Sequence, residues 1–228
     1  MDFLALVLLQ LSPINTHRPT QGLNAAIVEK NALQVESGFQ SMLQRMLPHT
    51  PEAVLQLRLG VLSNWEALLS GGLSFLPLKQ SPFFLAFKGR IFHHQCCTFS
   101  IIGGMYIPFG VQAWIISDWE LAPGGSLSLN FVAGTFQEGS QLLVAAFYTQ
   151  SFGRAWLIWV ESFTYIPESP GAIKNRYGGG TGIQYRWGAF QQAAIDLAWN
   201  YALEGRHQLL IGLSYKLSTL RKERESKA

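Results

Sequence analysis

The feature of this sequence that most constrains its fold is an alternation of apolar and polar residues that recurs along almost the whole chain. In residues 33–40 the polar residues and glycine stand mainly at even positions, and Arg58 and Gly60 do the same in residues 55–61. Because neighbouring side chains of a β-strand point to opposite faces, the pattern predicts strands with one apolar and one polar face. The predicted strands are 33–40, 55–61, 65–75, 83–92, 98–106, 112–121, 127–135, 142–149, 156–165, 177–187, 191–201 and 207–217.

The composition indicates that these strands lie in a membrane. Charged residues make up 14% of the chain, against about 25% in ordinary soluble domains, and aromatic residues make up 13%. No apolar run reaches the roughly 18 residues that a membrane-spanning helix needs. A closed barrel is the other structure that satisfies its backbone hydrogen bonds within lipid. We therefore predict an all-β fold, a transmembrane antiparallel up-and-down β-barrel of about 12 strands, with the even strand number of bacterial barrels.

The polar face of the predicted strands indicates which side of the barrel faces lipid. That face is rich in Gly, Ser and Gln with single charges spaced apart, whereas a soluble exterior would carry many Lys, Glu and Thr. We therefore place the polar face inside and the apolar face outside. Residues 142–149 are apolar on both faces and have no predicted orientation, while Glu161 indicates the inner face of 156–165. The residues expected in interfacial aromatic belts are Trp65, Tyr106, Trp119, Trp187 and Tyr201.

The connections between the predicted strands fall into two sets. Membrane barrels have short periplasmic turns and longer outer loops. The short connections, which we predict to be periplasmic, are Ser63–Asn64 and residues 123–125, 152–154 and 187–189. The longer connections, which we predict to lie at the opposite end, are 44–51, 77–82 and 167–176. Residues 93–95 and 137–141 fit this division poorly.

The chain reads as one barrel domain with distinct ends. Residues 3–11 form a short apolar stretch without a preceding Lys or Arg, so residues 1–16 are expected to be an incomplete signal segment. Residues 17–31 are a candidate for insertion into the lumen because they directly precede the first strand. Residues 32–220 are assigned to the barrel and residues 221–228 to a charged tail of mixed sign.

Charged and polar residues at inward-facing positions are the candidate functional residues. Their acids and bases nearly balance, which favours ion pairs across the interior because unpaired charges in a poorly hydrated space are costly. Two interpretations stay open: a polar pathway whose charges select a solute, and a salt-bridge network that simply fills the barrel. The predicted lumen-lining residues are Gln34, Glu36, Arg58, Glu66, Lys88, Arg90, Asp118, Glu120, Glu161, Arg186, Asp196 and Lys216.

The sequence offers no catalytic, metal or cofactor motif. His207 and Ser214 fall on opposite strand faces, so they predict no nucleophile and base pair. Cys96 and Cys97 are adjacent and are expected to be free thiols, and the nearby His93 and His94 complete no recognised metal-ligand spacing. The net charge of +3 is too small to indicate a nucleic-acid partner.

Several short motifs resemble those of a known family. They are His17-Arg18-Pro19-Thr20, the strand motif at 33–38, the Arg-x-Gly strand at 57–61 and Trp65-Glu66-Ala67, with looser matches at Lys88, Pro108, Glu161, 178–180, Asp196 and Gly212. Over residues 17–217 the chain thereby resembles the MetA-pathway of phenol degradation family of outer-membrane β-barrel transporters. The resemblance implies an outer-membrane barrel with a transport role and no defined substrate.

These observations lead to one function and two alternatives. We expect a bacterial outer-membrane barrel, embedded in outer-membrane lipid, that passes a small solute through a narrow charged lumen and is not an enzyme. The first alternative is a closed structural or adhesive outer-membrane barrel. The second is a soluble β-barrel that binds a hydrophobic ligand, since such barrels alternate in the reverse sense.

Overall fold

The computed structural model describes residues 24–43, 50–75, 78–80, 83–107, 110–136, 139–167, 176–188, 192–202 and 206–218. The predicted segment at 1–16, the tail at 221–228 and residues 17–23 of the predicted inserted segment lie outside these ranges. Within the described ranges, no helix has the length and apolar character needed to cross a membrane.

The described residues form thirteen β-strands. Their bounds are β1 Ala32–Leu43, β2 Thr50–Leu62, β3 Trp65–Phe75, β4 Leu78–Gln80, β5 Phe83–His94, β6 Cys97–Ile107, β7 Val111–Ala122, β8 Gly125–Phe136, β9 Gly139–Phe152, β10 Trp156–Pro167, β11 Arg176–Trp187, β12 Ala193–Ala202 and β13 Arg206–Ser218.

The strands close into an antiparallel barrel of twelve long strands, as the alternation predicts. Each long strand pairs with its sequence neighbours, and β1 closes the ring by pairing with β13 over its whole length. The remaining strand, β4, has three residues and pairs only with the end of β3 within the described part of the chain. Residues 77–82 were predicted to be a loop, but Leu78–Gln80 within this segment form the strand β4. A strand of three residues is too short to show an alternation of apolar and polar residues in the sequence.

The two ends of the barrel differ in their connections. We call the turn end the one where strands are joined by Ser63–Asn64, Gln95–Cys96, Pro123–Gly124 and Gly153–Ala155, and the loop end the opposite one. The connection predicted at 93–95 lies at Gln95–Cys96 instead, because β5 runs on through His94. The loop end also has brief gaps between strands, such as 137–138 and 203–205, so the predicted contrast in length holds only for some connections.

Three strands carry an extra residue close to the turn end. The register shifts between Gly60 and Leu62, between Arg90 and Phe92, and between Glu120 and Ala122. Such bulges change which face a residue occupies and are common at barrel rims. They explain why Leu62 and Phe92 are exposed although they stand at even positions.

The outer face of the barrel is apolar along its length. Large apolar side chains alternate outward with buried inward residues, as exposed Leu197 does with buried Asp196 and Ala198, and Leu197 stands opposite exposed Ile211 on β13. A continuous exposed apolar band of this kind requires lipid rather than water around it. The exposed large apolar side chains along the middle of the strands include Leu55, Leu69, Leu85, Phe87, Ile101, Ile115, Phe131, Ile183, Ile195, Leu197, Ile211 and Leu213.

Aromatic rings gather towards both ends of the outer face. At the turn end the ring centroids of Trp156 and Tyr185 are 4.7 Å apart, and those of Phe99 and Trp119 are 5.8 Å apart. At the loop end Trp199 stacks on His207. Two such girdles mark the depth at which a membrane interface crosses a barrel.

One residue of the predicted belts faces the other way. The hydroxyl of Tyr106 donates to Gln112 Oε1 at 3.1 Å, and the ring of Tyr106 lies 4.6 Å from that of Phe84 on the inner face. The prediction that Tyr106 belongs to an outer belt is therefore wrong. Its even number, shared with Gly104 and Ile102, already indicated the inner face.

A charged residue at mid-barrel on the outer face is expected to destabilise the protein. Leu197→Arg should lower the free energy of unfolding by about 2–4 kcal/mol, because Arg would stand at the lipid midplane. The matched control Leu62→Arg, at the turn-end limit of β2, should cost at most about 1 kcal/mol. Urea unfolding in lipid vesicles measures both, and equal losses would contradict the assigned membrane position.

Candidate functional site

Residues Asn24–Asn31 run through the interior of the barrel before β1 begins. The chain enters the wall through a tight bend, in which Asn31 has φ 64° and the N–H of Ala32 donates to the Glu29 carbonyl at 3.0 Å. Asn is one of the few residues that adopt this left-handed conformation readily. Asn31 N–H also donates to the Gly60 carbonyl at 2.8 Å, which fixes the segment to β2.

Basic side chains of the wall bind the carbonyl groups of this segment. Lys88 Nζ donates to the carbonyl oxygens of Asn24 and Ala26, both at 2.6 Å. Arg58 donates to the same Ala26 oxygen at 3.3 Å. Charged donors make stronger hydrogen bonds than neutral ones, and here they satisfy backbone groups that have no strand partner.

Polar and acidic side chains of the wall bind other groups of the segment. The N–H of Ala25 donates to Asp118 Oδ2, and the N–H of Val28 donates to Glu66 Oε2, each at 2.6 Å. Ser100 Oγ donates to the Ala25 carbonyl at 2.7 Å. Irregular backbone at membrane depth is tolerated where protein groups satisfy it, which is the case here.

A compact ion-pair network joins the wall of β1, β2, β3 and β5. Arg58 lies 2.9 Å from Glu66 and 3.4 Å from Glu36, and Lys88 lies 3.8 Å from Glu66. All four side chains are 0% exposed. Gln34 Nε2 donates to Glu36 Oε1 at 2.8 Å. Removing one member would leave an uncompensated buried charge, which is the costly case for such networks.

The strand register explains how these charges meet. Glu66 and Lys88 are direct cross-strand neighbours, and so are Gln34 and Arg58. Gln34 also stands opposite Lys216, whose ammonium group pairs with Glu29 of the inserted segment. Opposite positions in antiparallel strands bring side chains of one face within contact distance, so the network follows directly from closure.

The structure places the other predicted residues as follows. Glu161 and Asp196 are buried on the inner face of β10 and β12. Arg90 donates to Asn64 Oδ1 at 3.0 Å in the turn that precedes β3, and Arg186 donates to Gln184 Oε1 at 2.7 Å. Glu120 is exposed beside the turn-end rim. That a solute passes any of the twelve predicted residues stays a prediction.

The interior contains apolar side chains that the sequence reasoning did not select. Leu68, Ile102 and Ile116 pack with Ala25 of the inserted segment, and Val132 packs with Phe163 in a second cluster. The parity of the strands was a signal for them, because Leu68, Ile102, Ile116 and Val132 stand at the even positions that face inward on their strands, and Phe163 shares the odd parity of Glu161 on β10. The described inner wall is therefore mixed, with an apolar surface beside the charged one.

A chamber of about 360 Å³ remains inside the barrel at the turn end, and we call it the turn-end chamber. Asn24 and Ala26 of the inserted segment bound it on the inner side, and the turn residues Gln95, Cys96 and Gly124 stand at its rim. Its other main lining residues are Asp118, Glu120, Ser126, Ser128, Phe147, Thr149, Ser151, Trp159, Gln184 and Arg186.

The rim of this chamber carries His93, His94, Cys96 and Cys97. Both cysteines are free thiols, as expected. His93 Nδ1 lies 2.8 Å from the Thr98 hydroxyl. Within the described ranges, no three His, Cys, Asp or Glu side chains are grouped closely enough to hold a metal ion.

A closed antiparallel barrel with an apolar exterior and a charged interior defines the class of transmembrane β-barrels. Solved structures share this architecture. An outer membrane channel from Pseudomonas putida F1 superposes with a TM-score of 0.66 at 6% identity, covering 87% of this chain and 100% of that one. The KdgM porin superposes with a TM-score of 0.63 at 6% identity, covering 79% and 98%.

The same porin, solved in complex with disordered oligogalacturonate, superposes with a TM-score of 0.62 at 7% identity, covering 79% of this chain and 98% of that one. No family model and no curated protein sequence matches the chain. At identities this low, the superpositions show that the chain shares a barrel fold with these channels, and they show the fold alone.

Proposed function

We propose that this chain is a bacterial outer-membrane channel that passes a small polar solute through a narrow lumen lined by charged residues. The observation that carries the proposal is the pairing of a lipid-compatible exterior with an inner wall of charged and amide side chains. Side chains that only fill the interior of a barrel need no charge, because apolar side chains would pack there at a lower desolvation cost. The shared fold with two outer-membrane channels supports the proposal.

In this proposal the inserted segment restricts the pathway. Asn24–Asn31 occupies the side of the lumen formed by β1, β2, β3 and β5, where Arg58 and Lys88 bind its carbonyl groups. The turn-end chamber lies beyond the segment and faces the periplasm if the short turns are periplasmic, as in other outer-membrane barrels. A solute would then move between the segment and the opposite wall.

Bilayer recording tests the proposal. The full chain, refolded into detergent micelles, should run faster on a gel before boiling than after it, and should conduct ions in planar bilayers. Lys88→Gln removes a buried positive charge and should shift the reversal potential in a salt gradient towards cation preference. The control Arg154→Gln, in the exposed turn between β9 and β10, should leave selectivity unchanged. Equal selectivity in both variants would contradict the lumen assignment.

A closed structural or adhesive barrel is the second candidate, and one observation favours it. Arg58, Glu36, Glu66 and Lys88 are fully buried and bound to one another or to the inserted segment. This candidate predicts a heat-modifiable barrel without measurable conductance, so the same recordings separate the two. A soluble ligand-binding barrel predicts a chain that stays monodisperse without detergent, which the exposed apolar outer face opposes.

A further inference from the structure

The turn-end chamber has an inner wall built from contiguous side chains of neighbouring strands. Asp118, Ser128 and Phe147 stand opposite one another in one cross-strand row of β7, β8 and β9. The next row towards the turns consists of Glu120, Ser126, Thr149 and Trp159. The chamber therefore offers hydroxyl groups, carboxylates and aromatic rings side by side on a rigid sheet.

Two buried polar atoms of this wall have no hydrogen-bond partner among the described residues. They are the indole Nε1 of Trp159, a donor, and the Oδ1 atom of Asp118, an acceptor on a carboxylate group that also binds the Ala25 N–H and the Ser128 hydroxyl. Trp159 is 3% exposed, and both residues line the chamber. Buried polar groups are normally satisfied, and an exception calls for a missing partner such as a ligand or ordered water.

The ring of Trp159 lies over Gly182 of the neighbouring strand β11, in space that a side chain at position 182 would fill. A Cβ atom added to Gly182 would lie 2.1 Å from Cζ2 of Trp159 and 2.6 Å from the Leu197 carbonyl oxygen. Any larger residue would push the indole away from its strand. The glycine therefore gives the indole a packed position against β11 at the edge of the chamber, and a packed side chain favours recognition of a defined group.

We propose that the turn-end chamber binds a small neutral solute with several hydroxyl groups, a polyol or monosaccharide, as the channel's cargo. A hydroxyl group can donate to Asp118 and can equally accept from Trp159, so a solute with several hydroxyl groups matches both kinds of atom. A quaternary ammonium ion has no acceptor for the indole. An anion meets the two carboxylates of Asp118 and Glu120, which outnumber the one guanidinium group, that of Arg186, among the described lining residues. The inference rests on the proposed channel function and names the class of its solute.

The size and the apolar part of the chamber fit the same class. Its volume of about 360 Å³ lies at the small end of the range of about 300–1,000 Å³ for ligand pockets. Phe147 and the face of Trp159 provide apolar surface next to Ser128 and Thr149. Sugars present both hydroxyl edges and C–H faces, and they bind where polar groups and aromatic rings adjoin.

Calorimetric titration of the refolded full chain with three probes tests the proposal. Glucose is neutral and hydroxylated, gluconate is hydroxylated but anionic, and tetramethylammonium is a cation without hydrogen-bonding groups. Glucose should bind about tenfold more tightly than either of the others. Absence of glucose binding, or equal or tighter binding of gluconate or tetramethylammonium, would overturn the proposal without any variant being needed.

Two variants locate the site. Trp159→Phe keeps an aromatic ring but removes the indole N–H, and should weaken glucose binding about two- to tenfold. Asp118→Asn can keep the bond from Ala25 while replacing the unpartnered acceptor by a donor, and should weaken glucose binding similarly. The control Trp114→Phe, which makes the same change in the apolar clusters of the inner wall, should bind glucose as the unmodified chain does. Unchanged binding in Trp159→Phe would overturn the assignment.

Bilayer recordings on the same preparation separate this inference from the channel function. A barrel that conducts but binds no glucose would overturn the solute class and leave the channel standing. A barrel that binds glucose through Trp159 but does not conduct would retain the chamber as a binding site, overturn its role in transport, and contradict the channel.

Discussion

Arg58→Ala is expected to lower the free energy of unfolding of the barrel by about 3–5 kcal/mol, the cost of removing one partner from a buried ion pair. Arg58 is fully buried and bonds both carboxylate oxygens of Glu66, each at 2.9 Å. It also approaches Glu36 and the Ala26 carbonyl. Without the guanidinium group, two buried carboxylates would share the positive charges of Lys88, 3.8 Å from Glu66, and of the more distant Lys216.

Urea unfolding of the barrel in lipid vesicles, followed by tryptophan fluorescence, measures this loss. The matched control is Arg154→Ala, because Arg154 is exposed in the turn between β9 and β10. Its effect should stay within about 0.5 kcal/mol. Comparable losses in the two variants would show that the buried network contributes little to stability.

A double variant distinguishes two causes of the loss in stability: the loss of the attraction between Arg58 and Glu66, and the burial of a Glu66 carboxylate that has lost its partner. Arg58→Met combined with Glu66→Gln removes the pair together, and it should unfold at higher urea than Arg58→Met alone. The glutamine can still accept from the N–H of Val28, so the inserted segment keeps that bond. If the double variant is the less stable of the two, charge compensation is not the role of Arg58.

Gly60→Ala is expected to raise the single-channel conductance several-fold by displacing the inserted segment. A Cβ atom at position 60 would lie 1.9 Å from the Glu29 carbonyl oxygen and 2.7 Å from that of Val28. These are backbone atoms of the segment, so a rotamer change cannot relieve the clash. The segment must move away from β2, and the hydrogen bond from Asn31 to Gly60 must lengthen or break.

Planar-bilayer recording of Gly60→Ala beside Gly103→Ala measures this effect. A Cβ atom at Gly103 meets nothing within 4 Å, so the control makes the same chemical change on the outer face without a clash. Gly103→Ala should conduct like the unmodified chain. If Gly60→Ala folds to a heat-modifiable barrel and also conducts like it, the segment does not restrict the pathway.

Alternation in the sequence predicted most of the barrel because its physical cause is local. A strand at a lipid boundary must show apolar side chains on every second residue, and segments such as 207–217 carry that pattern strongly. Segment 142–149 could not be oriented because its inward residues, among them Leu143 and Phe147, are as apolar as its outward ones. Only its pairing with Asn130 and Ser128 on β8 decides the face.

The candidate site was predictable as a set of inward charges but not as an arrangement. Parity selects Arg58, Glu66 and Lys88 as residues of one face. Their grouping depends on register, and a shift of one residue would turn every side chain to the other face. The bulges near Glu120 and Arg90 could not be predicted from an alternation of period two either. Each bulge adds one residue to a strand, and only the pairing with the neighbouring strand shows which residue is extra.

The sequence by itself determined the fold class, the strand number and the lipid-facing side, because each follows from the free energy of placing apolar or polar groups in lipid. The tertiary structure alone decided which groups the charges bind. Lys88 and the carbonyl groups of Asn24 and Ala26 are more than sixty positions apart and meet only when the barrel closes around the segment. The turn-end chamber exists for the same reason, since its walls come from strands that closure alone brings face to face.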